Sequence, residues 1–503
     1  MPAIFSIFNQ RMGIVKRQSI QASVISYIGV LIGYVNLIYL FPEYLTLDQF
    51  GLTRLIISVS VVFSQFSLLG TTVSILRFFP YLQDKKTGHH GLLSFLLLIS
   101  MVGFVVFSVL LLLLHAPVTS LFIERSAIFV DYYYYVFPLS FFLMVYELFY
   151  MYMRALFKNV VAILIKEVVL RLLQTGALVL FIYNVVDFDG FFLLFIGSYL
   201  VHLVAILVYT LYLKQLFIFS KIDFMGLVSV RQVIRYSMFM FVAALSAYYT
   251  SNIDQIMIGS MIGAESNAVY AIAFFIGTMI QIPGRAMNQV ALPIITESWK
   301  QHDLKKLREI YAQTSLNQLI IGGFIFLLVW VNIDLLLSTL KDAYLEVKPL
   351  ILIVGLGKLF DLATGANAEI LVLSKHSKVT MATYVFLIIA STLANLLLIP
   401  LWGLIGSAVA TAVSLILYNL IRMIFLYGTY RLQPFSGNTL KACLLIIAGF
   451  GMYYLLPDLG NKWVNGFCQT TFITLAFAVS LIFFRISPEI MASYHWGREK
   501  LNI

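Results

Sequence analysis

The chain has 503 residues, of which 61% are apolar and 11% are charged, and its mean hydropathy is +0.95. Charged residues make up about a quarter of an ordinary soluble domain, so this composition excludes a water-soluble protein and indicates one that lies in lipid. The formal net charge of +10 would suit a nucleic-acid partner. The positive-inside bias of membrane proteins produces the same excess, so we expect no nucleic-acid partner.

Apolar runs of about 20 residues follow one another through most of the sequence, and each is long enough to cross a bilayer. Our count is fourteen spans, which predicts an all-α polytopic membrane protein. The first run, from about residue 20 to residue 41, is too long for a signal-peptide core and has no small-residue cleavage pattern after it. We expect it to remain as the first helix.

The charges in the gaps between spans predict the orientation. Even-numbered gaps hold most of the basic residues, namely Lys85, Lys86, Arg154, Lys158, Lys166, Lys214, Lys221, Arg231, Arg235, Lys300, Lys305, Lys306, Arg308, Lys375, Lys378, Arg431 and Lys441. Odd-numbered gaps hold mainly acids. Because Lys and Arg are retained on the cytoplasmic side during insertion, the even gaps and both termini are predicted to be cytoplasmic.

An amphipathic gap between Lys214 and Arg231 lies near the middle of the chain and separates six spans from six. Weak internal likeness suggests two parallel repeats. We predict an N-lobe at residues 1–216 with helices 1–6, a C-lobe at 217–436 with helices 7–12, and helices 13 and 14 with a short cytoplasmic tail at 437–503. Two such lobes would surround a central cavity lined by the polar residues of the spans.

Several function classes lack their sequence signals. There is no Walker-type GxxxxGK[ST] loop for a nucleotide-driven pump, and no HxxxH or HExxH pair for a metal. A membrane glycan polymerase or ligase would need a large external loop with catalytic residues, whereas every external gap is short. We therefore expect a transporter that is not an enzyme, with no cofactor and no metal.

Polar residues recur along one side of four predicted spans. They are Arg54, Ser58 and Gln65 in the second span, Ser246, Thr250 and Asp254 in the seventh, Gln281, Arg285 and Asn288 in the eighth, and Lys358, Asp361 and Glu369 in the tenth. At helical spacing each set shares one face. An ionisable side chain is costly in the bilayer core unless it faces water or a partner, so these faces should line the interior.

A structural interpretation competes with the functional one. Lys358 and Asp361, at i and i+3, would also neutralise each other in the same helix. For Glu167 and Arg171, at i and i+4, we favour such a structural pair. A further candidate pair is formed by Glu147 and Arg154, which lie on one face of span four.

Three stretches resemble the polysaccharide flippase branch, the Wzx type, of the multidrug/oligosaccharidyl-lipid/polysaccharide (MOP) exporter superfamily. The first is 47–51 with Arg54; the second is Asp254 with 258–259, 263–265 and 270–271; the third is Asn395 with 399–400, Gly403 and 406–411. All three stretches occur in the spans in which the family has the corresponding elements. Pro400 and Gly403 should allow a tight turn, and Gly406 a close helix contact. Trp402 and Ser407 depart from the family pattern without affecting the fold.

The resemblance implies a flippase that carries a polyprenyl-diphosphate-linked oligosaccharide across the bacterial inner membrane, from the cytoplasmic to the external leaflet. The product would enter O-antigen, capsule or exopolysaccharide assembly, and a polysaccharide polymerase and chain-length proteins are implied as partners, with membrane lipid around them. The predicted diphosphate-binding and cavity residues are Arg54, Arg285, Lys358, Gln281 and Asn288. The predicted residues for coupling to H⁺ or Na⁺ are Asp254, Asp361 and Glu369.

Three alternatives stay open. A cation-coupled multidrug exporter of the same superfamily would share the two-lobed fold, although cationic drugs favour acids over arginines in the cavity. A flippase for the peptidoglycan precursor would differ in cargo only. A membrane glycan polymerase or ligase is the least favoured, because the external loop that it needs is missing from the sequence.

Overall fold

A computed structural model describes residues 21–491 except for residues 23, 225, 459 and 490. The regular structure of these residues is helical throughout and contains no strand. They fall into two compact units, divided between Ala268 and Val269. The predicted all-α class is therefore confirmed. The predicted start of the first span and the predicted location of both termini lie outside the described residues, and the predicted lobe boundaries stay a prediction.

The helices of the first unit are connected by short turns. They are α1, Val24–Tyr44; α2, Leu47–Leu68; α3, Thr71–Leu82; α4, His89–Leu113; α5, His115–Ser120; α6, Ala127–Asp131; α7, Tyr133–Ala155; α8, residues 159–182; α9, Phe188–Tyr212; and α10, Val230–Met261. Two of them contain a π-helical turn, at Val35–Leu40 in α1 and at Ile165–Val169 in α8.

The next helix, α11, Ala264–Ile280, crosses the division between the units. Those of the second unit are α12, Ile282–Lys300; α13, Leu304–Val331; α14, Ile333–Leu337; α15, Val347–Ala363; α16, Asn367–Leu373; α17, Ser377–Tyr430; α18, Gly437–Leu455; and α19, Lys462–Phe483. The helices α15 and α16 form a bent pair.

Side chains at the helix ends explain where several helices begin. The N-terminus of α2 has a capping box, in which Gln49 N donates to Thr46 Oγ1 at 3.2 Å and Thr46 N donates to Gln49 Oε1 at 3.1 Å. Asp187 accepts from Gly190 N at 2.8 Å at the start of α9. Such caps satisfy backbone N–H groups that the first helical turn leaves without a partner.

Two of the stretches that resemble the flippase family pack against each other within the first unit. A Cβ atom on Gly51 would collide with the backbone carbonyl of Ala264, and one on Gly259 would lie 2.8 Å from the Leu55 side chain. Asn267 Nδ2 also donates to Gly51 O at 3.4 Å. Glycine is required at position 51 because only a residue without a side chain allows this backbone approach.

The third stretch forms a hairpin within α17. The helix breaks at Gly403, where φ is 57° and ψ is −132°. Ser407 Oγ donates to Asn395 Oδ1 at 2.9 Å, although a straight helix would hold these residues about 18 Å apart. The missing side chain of Gly406 lets the second arm approach the Leu398 carbonyl. The predicted tight turn and close helix contact are confirmed.

Ten helices of the described residues are long and apolar enough to cross a membrane, or eleven if the bent pair of α15 and α16 counts as one span. One of them, Ala264–Lys300, contains both α11 and α12, and another, Lys378–Tyr430, is folded at Gly403. The helix α8 is not among them, since it carries Lys166, Glu167 and Arg171. The chain is therefore a multi-pass membrane protein, and the number fourteen stays a prediction.

Candidate functional site

The second unit has a polar core around Asp361, near the C-terminal end of α15. Gln281 Nε2 donates to Asp361 Oδ2 at 2.6 Å, and Asn419 Nδ2 donates to Oδ1 at 2.8 Å. Each carboxylate oxygen therefore has an amide donor of its own. Hydrogen bonds of this kind replace the hydration that a carboxyl group loses away from water.

The orientation of the Asn419 amide is determined by its other partners. Its Nδ2 also donates to the Leu415 carbonyl at 2.9 Å, which is an acceptor only. Its Oδ1 accepts from Thr364 Oγ1 at 3.1 Å and from Asn367 Nδ2 at 2.8 Å. A flipped amide would lose these contacts. The side of Asn419 that faces Asp361 is consequently the donating side.

The core sits at the break between α15 and α16, which are bent by 47°. Gly365 lies in this break with φ of +60°, a backbone conformation that glycine adopts without strain. Side chains of α13 pair with the backbone there: Thr314 Oγ1 accepts from Ala366 N at 3.3 Å, and Ser315 Oγ donates to Ala363 O at 2.5 Å. Irregular backbone at membrane depth needs such partners.

Glu369, on α16, has a different environment from Asp361. The Asn288 side chain reaches its carboxyl group, and Asn288 Oδ1 also accepts from Gln318 Nε2 at 2.5 Å. Glu369 Oε2 is buried and has no hydrogen-bond partner among the described residues. This oxygen is thus able to take a proton or a new donor without displacing an existing one.

Arg422, in the second arm of α17, is a buried cation that the sequence analysis missed. Only 2% of it is exposed. Its Nε donates to Thr383 Oγ1 at 3.1 Å, and its guanidinium carbon lies 3.8 Å from the ring centroid of Tyr418 and 5.0 Å from that of Tyr384. It acts electrostatically on Glu369. A single ionisable residue within an apolar run was the available signal.

The two predicted cations of this unit lie in contrasting places. Lys358, on α15, is buried, with its Nζ 5.1 Å from the ring centroid of Phe274. Arg285, on α12, is exposed, and its side chain forms no hydrogen bond or ion pair within the part of the chain that the structure describes. The structure therefore groups the predicted binding amides Gln281 and Asn288 with the predicted coupling acids and leaves Arg285 outside that core.

The remaining predicted residues, Arg54 and Asp254, belong to the first unit. Arg54 is on α2, with its guanidinium carbon 5.9 Å from the ring centroid of Phe41 and 5.8 Å from that of Phe50. Its one side-chain hydrogen bond among the described residues is a long one, 3.4 Å from Nε to Thr53 Oγ1. Asp254, on α10, is 2% exposed. Arg54 thus keeps guanidinium donors available for a ligand.

Two ion pairs bridge or stabilise helices of the first unit. Arg171 Nη2 and Glu167 Oε2 are 2.8 Å apart, which confirms the predicted structural pair. The predicted pair of Glu147 and Arg154 is wrong: Glu147 Oε2 instead pairs with Lys166 Nζ at 3.3 Å. Arg154 is exposed near the end of α7, whereas Lys166 on the neighbouring α8 reaches the carboxylate.

Metal ligands were not expected, and the described residues contain no group of three His, Cys, Asp or Glu side chains that could hold a metal ion. The charged side chains described above offer two kinds of chemistry. Arg54 and Arg285 offer charged donors to an anionic ligand. Asp361 and Glu369 offer carboxyl groups that differ in how fully they are hydrogen-bonded.

Comparison of the sequence with known families gives two matches. The family described as "Polysaccharide biosynthesis protein" matches residues 15–299, more than half of the chain. The family described as MatE matches residues 240–401. A comparison with curated protein sequences finds no match.

Several solved structures share the fold at low sequence identity. One is a lipid II flippase MurJ in an inward closed conformation, with a TM-score of 0.68 and 14% identity, covering 93% of this chain and 99% of that one. Another is a MATE family transporter of the MOP superfamily in an inward-facing conformation, with a TM-score of 0.60, 12% identity, and 86% and 99% coverage. A third is the Vibrio cholerae MATE transporter VcmN, with a TM-score of 0.52, 14% identity, and 83% and 98% coverage.

Proposed function

Because this chain belongs to the polysaccharide biosynthesis protein family and has the fold of the MOP flippases and transporters, we propose that it translocates a lipid-linked oligosaccharide. The cargo is a glycan on a polyprenyl diphosphate, moved by alternating access from the cytoplasmic to the external leaflet of the bacterial inner membrane. The product is used for O-antigen, capsule or exopolysaccharide assembly, with a polymerase and chain-length proteins as downstream partners.

The observation that carries this proposal is the family match over residues 15–299. The side-chain chemistry supports it. A diphosphate that leaves water needs cationic donors to replace its hydration, and Arg54 and Arg285 both have donors that no acidic partner occupies. Lys358 and the core amides Gln281 and Asn288 complete the proposed binding set.

Transport against a gradient needs a coupled ion, and we assign coupling to H⁺ or Na⁺ at Asp361 and Glu369, with Asp254 in the first unit. The contrast between the two carboxyl groups supports this assignment. Asp361 is saturated with amide donors, whereas Glu369 Oε2 has an open position. A carboxyl group with an open position can change its ligand during a transport cycle.

The test uses cells in which this protein is absent and then restored. Polyprenyl-diphosphate oligosaccharide is quantified in each leaflet, together with surface polysaccharide. Accumulation in the cytoplasmic leaflet, with loss of the surface glycan, is expected without the protein. Unchanged leaflet distribution and unchanged surface glycan would contradict the proposal.

Variants then test the residues. Arg54→Gln and Arg285→Gln should each reduce restoration of the surface glycan at least tenfold at equal protein level. Arg231→Gln serves as the matched control, because Arg231 is exposed at the start of α10 and loses the same charge. If Arg285→Gln restores the glycan as fully as Arg231→Gln does, Arg285 does not bind the cargo.

A cation-coupled drug exporter is the second candidate, since the MatE family matches residues 240–401. Drug susceptibility of the same cells separates the two functions. Raised susceptibility with an unchanged surface glycan would favour the exporter. The available arginines favour an anionic cargo, because a cationic drug would be repelled by them.

A further inference from the structure

Lys166, on α8 of the first unit, is a partly buried cation whose role the proposed binding set leaves open. Its Nζ lies 3.3 Å from Glu147 Oε2, which is long for a charge-assisted hydrogen bond. It also lies 4.8 Å from the ring centroid of Tyr150. An ammonium group has three donors, so the single long bond to Glu147 leaves Lys166 with donors available for another acceptor.

The Lys166 side chain keeps access to water. It is 37% exposed, whereas that of Glu147 is 10% exposed. The exposed apolar residues of α8 are Leu164, Leu172, Val179 and Leu180. The two nearest Lys166 in the sequence, Leu164 and Leu172, point away from it at helical spacing. Since a lysine facing hydrocarbon would be costly, the exposed part of Lys166 is expected to face water.

Glu147 has a second partner that holds it in place when Lys166 moves. Tyr248 Oη, on α10, donates to Glu147 Oε1 at 3.0 Å. Each carboxylate oxygen of Glu147 therefore has one donor. If Lys166 moves away, Glu147 keeps its hydrogen bond from Tyr248. Lys166 also lies in the π-helical turn Ile165–Val169, an irregularity that is frequent at functional sites.

Two other cations in the helices of this unit, Arg171 and Arg54, differ in how many of their donors form hydrogen bonds. Both terminal nitrogens of Arg171 are used, one by Glu167 and the other by the Gly29 carbonyl. Arg54 has one weak hydrogen bond. Of Arg171, Arg54 and Lys166, the last two thus keep donors available, whereas both terminal nitrogens of Arg171 are occupied.

The two residues lie at different depths. Arg54 is seven residues after Leu47, the first residue of α2, and Lys166 is seven residues after Asn159, the first residue of α8. Seven residues correspond to about 10 Å along a helix. In the predicted topology α2 starts at the external face and α8 at the cytoplasmic face of a bilayer core about 30 Å thick, so Arg54 is expected towards the external side and Lys166 at the cytoplasmic side.

We propose that Lys166 is a second binding residue for the diphosphate of the transported lipid, with Glu147 as its resting counter-ion. This inference rests on the proposed function. The arriving diphosphate replaces Glu147 on the ammonium group, and Tyr248 retains the carboxylate. Lys166 takes the anion in one half of the membrane and Arg54 takes it in the other, so the cargo is passed between two depths.

The test measures ligand-induced stabilisation of the purified full chain in detergent. The unfolding temperature is recorded against the concentration of geranylgeranyl diphosphate, with geranylgeraniol as the uncharged comparison. The wild-type protein should be stabilised by the diphosphate and not by the alcohol. Lys166→Gln should weaken the apparent affinity about tenfold, Lys166→Arg should retain most of it, and Glu147→Gln should leave it unchanged or tighter.

Lys158→Gln is the matched control, because Lys158 lies exposed at the turn before α8 and the same charge is lost. If Lys166 only stabilises the fold, Lys166→Gln and Glu147→Gln will lower the unfolding temperature alike, and both variants will bind the diphosphate with the affinity of wild type. That result overturns this inference while the proposed function stands. A wild-type protein that the diphosphate does not stabilise overturns both. Should Lys166→Gln fail to fold, weaker binding by Glu147→Gln still contradicts the inference.

Discussion

The two units stabilise their buried charges in different ways. In the first unit opposite charges meet directly, as Glu167 does with Arg171 and Glu147 with Lys166. In the second unit neutral amides surround Asp361. In an ion pair each charge depends on the other, because removing one leaves its partner without compensation. Amide donors hold one charge and need no partner charge, which suits a carboxyl group whose neighbours change during transport.

The largest expected effect comes from breaking the amide environment of Asp361. Asn419→Leu removes one of the two amide donors to Asp361 and the Oδ1 that accepts from Thr364 and Asn367, so we expect a loss of about 2–3 kcal/mol in the free energy of unfolding. Titration of the purified protein with sodium dodecyl sulfate measures this quantity. Leu417→Ala, at a lipid-exposed position of the same helical arm, is the control, and an equal loss in both would show that the amide adds little.

A smaller effect is expected from the direct ion pair of α8. Arg171→Met leaves Glu167 without its cation, and because both side chains are about a quarter exposed, we expect a loss of about 1–2 kcal/mol. The double variant Arg171→Met/Glu167→Met should regain part of it. A double-mutant cycle by the same titration gives the coupling energy. Strictly additive single losses would mean that the pair contributes no coupling.

Removing one neutral donor from Glu147 should have a still smaller effect. Tyr248→Phe deletes the hydroxyl that donates at 3.0 Å, and hydrogen bonds between membrane helices contribute about 0.6 kcal/mol on average. Tyr183→Phe is the matched control, because Tyr183 is 76% exposed. A loss of several kcal/mol for Tyr248→Phe alone would show that Glu147 depends on Tyr248 rather than on Lys166.

Sequence periodicity predicted the helical class well because the apolar runs depend only on local composition. The turn at Gly403 was predictable for the same reason, since Pro400 and Gly403 carry local backbone constraints. The contact of Gly51 with the Ala264 carbonyl joins two stretches that were noted separately in the sequence. Their proximity depends on tertiary packing, which no single stretch encodes.

Pairing of charges was only partly predictable. Glu167 and Arg171 are four residues apart on one helix, so helical geometry determines their contact. Glu147 pairs across helices with Lys166 rather than with Arg154 on its own helix, and helix spacing alone does not determine which neighbour packs against it. The contacts of Arg422 with Thr383 and Tyr384 were not predictable from helix spacing, because these two residues come from the other arm of the α17 hairpin.

The smallest effect is expected from a charge in a loop, at Asp84 between α3 and α4. Its exposed carboxylate accepts from the backbone N–H of Lys86 at 3.0 Å, and this bond, with a further contribution from Thr87, lowers the pKa of Asp84 below its ordinary value. A lowered folded-state pKa stabilises the fold above the unfolded value of about 4, and that contribution is lost as the pH falls through the folded value. Asp84→Asn should therefore be less stable than wild type at pH 6, and the difference in unfolding temperature between the two proteins should become smaller as the pH is lowered to 3. A gap that is constant with pH would mean that the hydrogen bond does not favour the ionised form. If the difference in unfolding temperature at Asp84 is small but depends on pH, an exposed charge contributes little to stability. The larger losses expected at Asn419 and Arg171 would then come from burial more than from charge.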